Sequence, residues 1–177
     1  MVALLAIFLA GCSPSYDVVI KGGMVYDATG TLPYAADIGI ADGIIKAIGK
    51  IKRSAGQVID ADGLIVAPGF IDIHTHCDSG LQTEWGKSAE NYLMQGVTTV
   101  VTGNCGGGTY RVEEFFGKLE SQGVGLNVIH LVGHGTIRSS LMGQEAREPT
   151  EEELRRMKQL LSQGMGEGAA GLSTGLF

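Results

Sequence analysis

The chain is 177 residues long and 44% hydrophobic, with a formal charge of −6. That apolar content suffices for an ordinary core and excludes a disordered composition, while the acidic balance argues against nucleic acid or an anionic membrane surface as the main partner. Three cysteines in unlike contexts, Cys12, Cys77 and Cys105, argue against a disulfide framework, so each needs its own explanation.

Residues 1–10 are almost wholly apolar and end in Leu9-Ala10-Gly11-Cys12, far too short a run to span a bilayer. Small residues before a cysteine resemble a bacterial lipoprotein signal, with Cys12 as the lipidated residue and a lipid anchor in the cell envelope as the expected location. A plain secretory signal stays open, as does a mis-set start that would leave the protein cytoplasmic, and no Lys or Arg precedes the run although a signal's n-region normally carries one. Residues 1–15 are set apart as a signal-like segment. In an oxidising compartment Cys77 and Cys105 would need protection, for instance by a metal.

Residues 16–66 read as short strands and turns, the N-terminal part of a small β-sandwich-like domain. Asp17-Val18-Val19-Ile20-Lys21 is a β-rich run closed by Gly22-Gly23, and Met24-Val25-Tyr26-Asp27 is a second. Ala36-Asp37-Ile38-Gly39-Ile40 meets the hairpin signal Asp42-Gly43 before Ile44-Ile45-Lys46-Ala47-Ile48-Gly49. Val58-Ile59-Asp60 and Leu64-Ile65-Val66 complete the set.

From residue 67 onward strands and helices alternate. Strands are expected over 70–76, 97–102, 126–132 and 168–173, and helices over 88–95 and 111–122. Thr150-Glu151-Glu152-Glu153 is a capping box that opens a further helix with Leu154, Met157, Leu160 and Leu161 inward. Such alternation implies right-handed βαβ units and a parallel sheet. Residues 67–177 therefore read as the first half, about four units, of a (β/α)₈ barrel.

Reactive groups in a parallel barrel collect at the C-terminal ends of its strands. His74 and His76 alternate onto one face of strand one, in phase with Asp72 and Asp78, and two such imidazoles can grip a divalent metal. Cys105 lies 29 residues beyond His76, about one βαβ repeat, which places its sulfur at the same height on the neighbouring strand. Asp78 is in phase to hold an imidazole N–H from behind. His134, past strand three, and Ser173, at the end of strand four, are further candidates for that site or for substrate. Cys77 alternates away from the histidines, and His130, mid-strand, reads as structural. Gly103 to Gly108 lacks the Lys-Ser/Thr of a P-loop, so nucleotide binding is not expected.

Ala67-Pro68-Gly69-Phe70-Ile71-Asp72-Ile73-His74-Thr75-His76 resembles the first-strand motif of the amidohydrolase superfamily. Gly96-Val97-Thr98-Thr99-Val100-Val101-Thr102-Gly103-Asn104-Cys105-Gly106, Gly133-His134-Gly135-Thr136-Ile137-Arg138 and Gly171-Leu172-Ser173-Thr174-Gly175-Leu176 narrow the resemblance to the N-acyl-D-amino-acid deacylase branch. By position, His74 and His76 match metal-binding histidines, and Cys105 matches the cysteine that replaces a bridging carboxylated lysine. Dihydroorotase- and hydantoinase-like relatives, which act on cyclic amides and are the alternative substrate class, place that lysine on strand four. Strand four here has none.

The resemblance implies a hydrolase with one or two Zn2+ ions that cleaves the amide of a small-molecule N-acyl-D-amino acid. The general-base aspartate it implies, at the end of strand eight, is expected beyond residue 177. Two further histidines would come from strands five and six, so the chain reads as an N-terminal portion, inactive alone. The tyrosine expected after Gly-Leu-Ser-Thr-Gly and a substrate-carboxylate arginine are also missing. A reading of another class is a short lipoprotein whose half-barrel is a non-catalytic metal-binding or interaction module, although an unclosed barrel would expose much apolar area.

Overall fold

Val18, Val19 and Ile20, all β-branched, begin a ten-residue strand, β1 (Tyr16–Val25), in the computed structural model, which describes residues 16–175. The signal-like run and Cys12 lie outside the described residues. Gly22-Gly23 does not stop the strand as the sequence suggests. Instead β1 continues through a bulge between Ile20 and Gly23. At the bulge the Gly22 N–H donates to the Asp37 carboxylate (3.1 Å), which also accepts the Ile51 N–H (3.0 Å). These backbone donors, that of Ile51 foremost, hold the Asp37 carboxyl below its usual range.

β2 (Tyr34–Ala41) and β3 (Ile44–Gly49) pair antiparallel around Asp42-Gly43. Both turn residues have positive φ, 54° and 69°, as a tight hairpin with right-handed twist requires. β4 (Ala55–Asp60) and β5 (Ile65–Val66) both return parallel to β1. The order β3-β2-β1-β4, with β5 also on β1, makes one mixed sheet, a single layer of the sandwich-like piece expected. Val19, Val25, Ile38, Ile51 and Ala61 are its buried apolar residues. This unit ends at Pro68, and a second compact unit begins at Gly69.

In the second unit β6 (Phe70–Asp72) is followed by two single-turn helices, α1 (Asp78–Leu81) and α2 (Glu90–Leu93). Then come β7 (Val97–Thr102), α3 (Val112–Gln122), β8 (Asn127–Gly133), α4 (His134–Met142), α5 (Glu151–Gly166) and β9 (Gly171–Ser173). The four strands lie in chain order and are parallel throughout, the four-stranded half of a β/α barrel. Helical spacing presents Val112, Phe115 and Leu119 of α3 to the sheet. Phe115 and Leu119 pack with Leu81, Ala89, Val100 and Leu126. Val112 joins Val132, Ile137, Met142, Met157, Leu160 and Ala169 in a second cluster.

The ends of α3 and α5 show two ways of satisfying orphan N–H groups. Thr150 and Glu153 form the capping box of α5. At α3 no local side chain caps, and the Glu167 carboxylate, just past α5, accepts from the Val112 and Glu113 N–H groups (2.9 and 3.1 Å).

Three local expectations change. The first strand ends at Asp72 rather than at residue 76, because the Asp72 carboxylate accepts the His74 N–H (3.1 Å) and bends the chain there. The helix expected over 88–95 contracts to α2, because Ala89 sits in the left-handed region at φ 52° and no helix can pass through it. His134, the candidate past strand three, is the first residue of α4, a helix that buries Ile137 and Met142 in the cluster above. Leu154, expected inward, is 43% exposed, since α5 enters the apolar cluster only from Met157 on. No helix among the described residues is long and apolar enough to cross a membrane.

Candidate metal centre

Just beyond the bend at Asp72, the Thr75 N–H donates to the Val101 carbonyl (3.0 Å), so the chain rejoins the edge of β7. Thr75 is buried, while His74 and His76 on either side of it are exposed. The alternation puts both imidazoles on one side, ring centroids 5.5 Å apart. Cys105 follows β7 in the neighbouring loop, with Sγ 3.3 Å from His74 Nε2. One ligand atom from each of His74, His76 and Cys105 lies within 4.8 Å of the others.

The cysteine loop is shaped by its glycines and by the next strands. Gly103 has φ +81°, and a Cβ there would collide with the Leu131 carbonyl. Cys105 itself has φ +53°, a conformation costly for a residue with a Cβ. Ser173, at the end of β9, holds the loop from beneath. Its buried Oγ donates to the Gly103 carbonyl and accepts the Gly106 N–H (3.0 Å). From the start of α4, the Thr136 N–H donates to the Gly106 carbonyl (3.1 Å). Ser173 therefore shapes the thiol's loop, and its hydroxyl is taken up by that loop.

The remaining candidates fall elsewhere. Asp78 turns away from the two histidines. Its carboxylate accepts the Thr102 hydroxyl and lies 3.8 Å from His130 Nδ1, because the chain after His76 winds into α1 instead of extending. His134 is exposed and outside the trio. Cys77 is also outside it, with Sγ 3.3 Å from the Thr75 hydroxyl. His130 is buried against Phe115, with ring centroids 4.6 Å apart. Its Nε2 lies 3.0 Å from the Thr109 carbonyl, and since a carbonyl only accepts, that nitrogen carries the proton. Asn104 is a residue the sequence reading passed over. Its buried amide reaches the carbonyls of Val101 and Thr75, and its position just before Cys105 was the available signal.

Two imidazole nitrogens and one sulfur, with no hard oxygen donor, form a set suited to zinc. Tetrahedral zinc, with bonds of about 2.3 Å to sulfur and about 2.05 Å to nitrogen, sets a sulfur and a nitrogen roughly 3.6 Å apart. The 3.3 Å between Cys105 and His74 needs only a small adjustment to meet that. The donor set fits the ion.

The model of the amidohydrolase family matches residues 57–177. D-aminoacylase of Alcaligenes xylosoxydans xylosoxydans is 36% identical over 189 residues, covering 93% of this chain and 39% of that protein. N-acyl-D-glutamate deacylase of the same organism is 39% identical, covering 90% of this chain and 37% of that protein. Among solved structures, N-acyl-D-glutamate deacylase of Bordetella bronchiseptica superposes with a TM-score of 0.84 at 35% identity, covering 91% of this chain and 38% of that one. That enzyme was solved with zinc and a phosphonate inhibitor that mimics the reaction's tetrahedral intermediate. The chain thus spans well under half the length of these relatives.

Proposed function

The chain belongs to the amidohydrolase family, and from that premise we propose that it forms the zinc-holding part of a hydrolase of linear amide C–N bonds that deacylates N-acyl-D-amino acids. The observation that carries this reading is the His74–His76–Cys105 trio at the strand ends of the half-barrel. His74, His76 and the Cys105 thiolate would hold the ion, and the Asp72 and Ser173 contacts orient their two segments. When bound, zinc supplies a Lewis acid that lowers the pKa of a water toward about 7 and polarises the scissile carbonyl. The buried Thr75 and Asn104 keep solvent from beneath the trio.

By the resemblance, cyclic-amide relatives carry a lysine on strand four, and a cysteine just past strand two with no lysine in Gly171-Leu172-Ser173 supports linear over cyclic amides as substrates. The general-base aspartate and two further histidines that the resemblance implies are not among the residues of this chain. The Cys12 motif supports a lipid anchor and a location in the cell envelope, where bound metal would protect Cys105 from oxidation.

The test has two arms. Zinc content is measured on this chain, and release of free amino acid is measured on the full-length protein that carries it. N-acyl-D-amino acids, N-acyl-L-amino acids and cyclic amides are offered in parallel. Turnover confined to cyclic amides, or a chain free of zinc after dialysis against it, would sink the proposal.

A further inference from the structure

We propose that Asn104 and Thr75 are positioning residues that lock the two ligand-bearing segments together before any metal arrives. Thr75 lies between His74 and His76, and Asn104 immediately precedes Cys105. Both are buried, at 4% and 9% exposure, and both converge on one oxygen. The Val101 carbonyl accepts the Thr75 N–H (3.0 Å), the Thr75 hydroxyl (2.9 Å) and the Asn104 amide Nδ2 (2.9 Å). A carbonyl oxygen has two lone pairs, so three donors exhaust it. Asn104 Nδ2 also reaches the Thr75 carbonyl at 3.3 Å. Both of its partners are carbonyls, which only accept, so the nitrogen of the amide and not its oxygen must face them.

None of these bonds passes through a ligand side chain. They fix the backbone one residue away from each donor: Thr75 is flanked by the two imidazoles, and Asn104 by the thiol. Cys105 stands at φ +53°, a conformation that persists only when its surroundings over-determine it. Asn104 holds it on one side, and the Gly106–Ser173 bond holds it on the other. With the spacing set in advance, zinc binding need not order the two segments. Positioning of this kind has meaning only if the trio takes a metal, so the role rests on the metal reading above.

Two shape-preserving variants of the full 177-residue chain test it. Asn104→Asp turns an acceptor onto two carbonyls, and Thr75→Val removes the hydroxyl alone. Circular dichroism checks the fold, and Zn2+ affinity is read by chelator competition. Co2+ binding is read by its thiolate-to-cobalt absorption, and exchange of the Thr75 amide proton is followed without metal. Each folded variant is expected to bind zinc about 10–100-fold more weakly, to shift the cobalt band and to exchange the Thr75 proton faster. Parent-like zinc affinity with unchanged Thr75 exchange in a folded variant overturns the role, and Thr75→Val decides if Asn104→Asp does not fold. A parent chain that binds no zinc overturns the metal reading and this role with it, whereas a deficit confined to the variants separates the two.

Discussion

Replacing Cys105 by alanine removes the only sulfur from the trio while leaving the Cβ that the loop already accommodates at φ +53°. Cys105 is half-buried, so the metal-free variant should melt close to the parent. The effect lies in the zinc dependence. At free zinc a hundredfold above Kd, binding to the folded state alone stabilises the parent by about 2.7 kcal/mol. For a chain of this size that raises the thermal midpoint by roughly 5–11 °C. Loss of a direct donor should weaken binding at least as much as loss of an outer hydrogen-bond partner, for which about 100-fold is the upper end. The same zinc concentration then sits near the variant's Kd, leaving about 0.4 kcal/mol and roughly 1–2 °C. Scanning calorimetry across a zinc titration, with metal content measured on the same samples, reads both numbers. A Cys105→Ala chain that keeps the parent's zinc-dependent rise would refute the assignment of sulfur as a ligand.

Ser173→Ala should weaken zinc binding although it touches no ligand atom, because it strips the Gly103 carbonyl and the Gly106 N–H of their buried partner. The metal-free chain should lose about 1–3 kcal/mol in urea unfolding. Leu81→Ala, in the core at 1% exposure, should cost about 2–5 kcal/mol. Leu154→Ala, at 43% exposure, should cost far less in the same urea series, and equal losses would contradict the packing described. The Arg147 guanidinium, with the Thr150 backbone and hydroxyl, lowers the Glu153 carboxyl from its ordinary 4.5 to about 2. A depressed carboxylate stabilises the fold above its ordinary value and loses that contribution as pH falls through the folded one. Stability should therefore decline between about pH 4.5 and 2, and Glu153→Gln should flatten that part of the melting profile.

The course of β7, β8 and α5 was legible in the sequence because their signals are local. Val97-Thr98-Thr99-Val100-Val101-Thr102 has the residue types of a buried strand, and Thr150 with Glu153 forms its capping box within one helical turn. The pairing of two histidines with Cys105 was legible too, since the βαβ repeat converts sequence spacing into neighbouring strand ends. What the sequence could not determine depends on contacts between distant residues. Glu167 caps a helix that begins 55 residues earlier, and Ser173 closes on a loop 67–70 residues before it. α4 has no capping side chain and exists for what it buries. Asp78 was in phase with the histidines only for a strand that continued, and the Asp72 carboxylate ended that strand. Residue types and spacing thus chose the candidate donors, because side-chain chemistry and strand period are properties of the chain itself. Where those donors point was decided by the tertiary structure, because a bend at Asp72 and a left-handed Cys105 are held only by hydrogen bonds that distant segments complete.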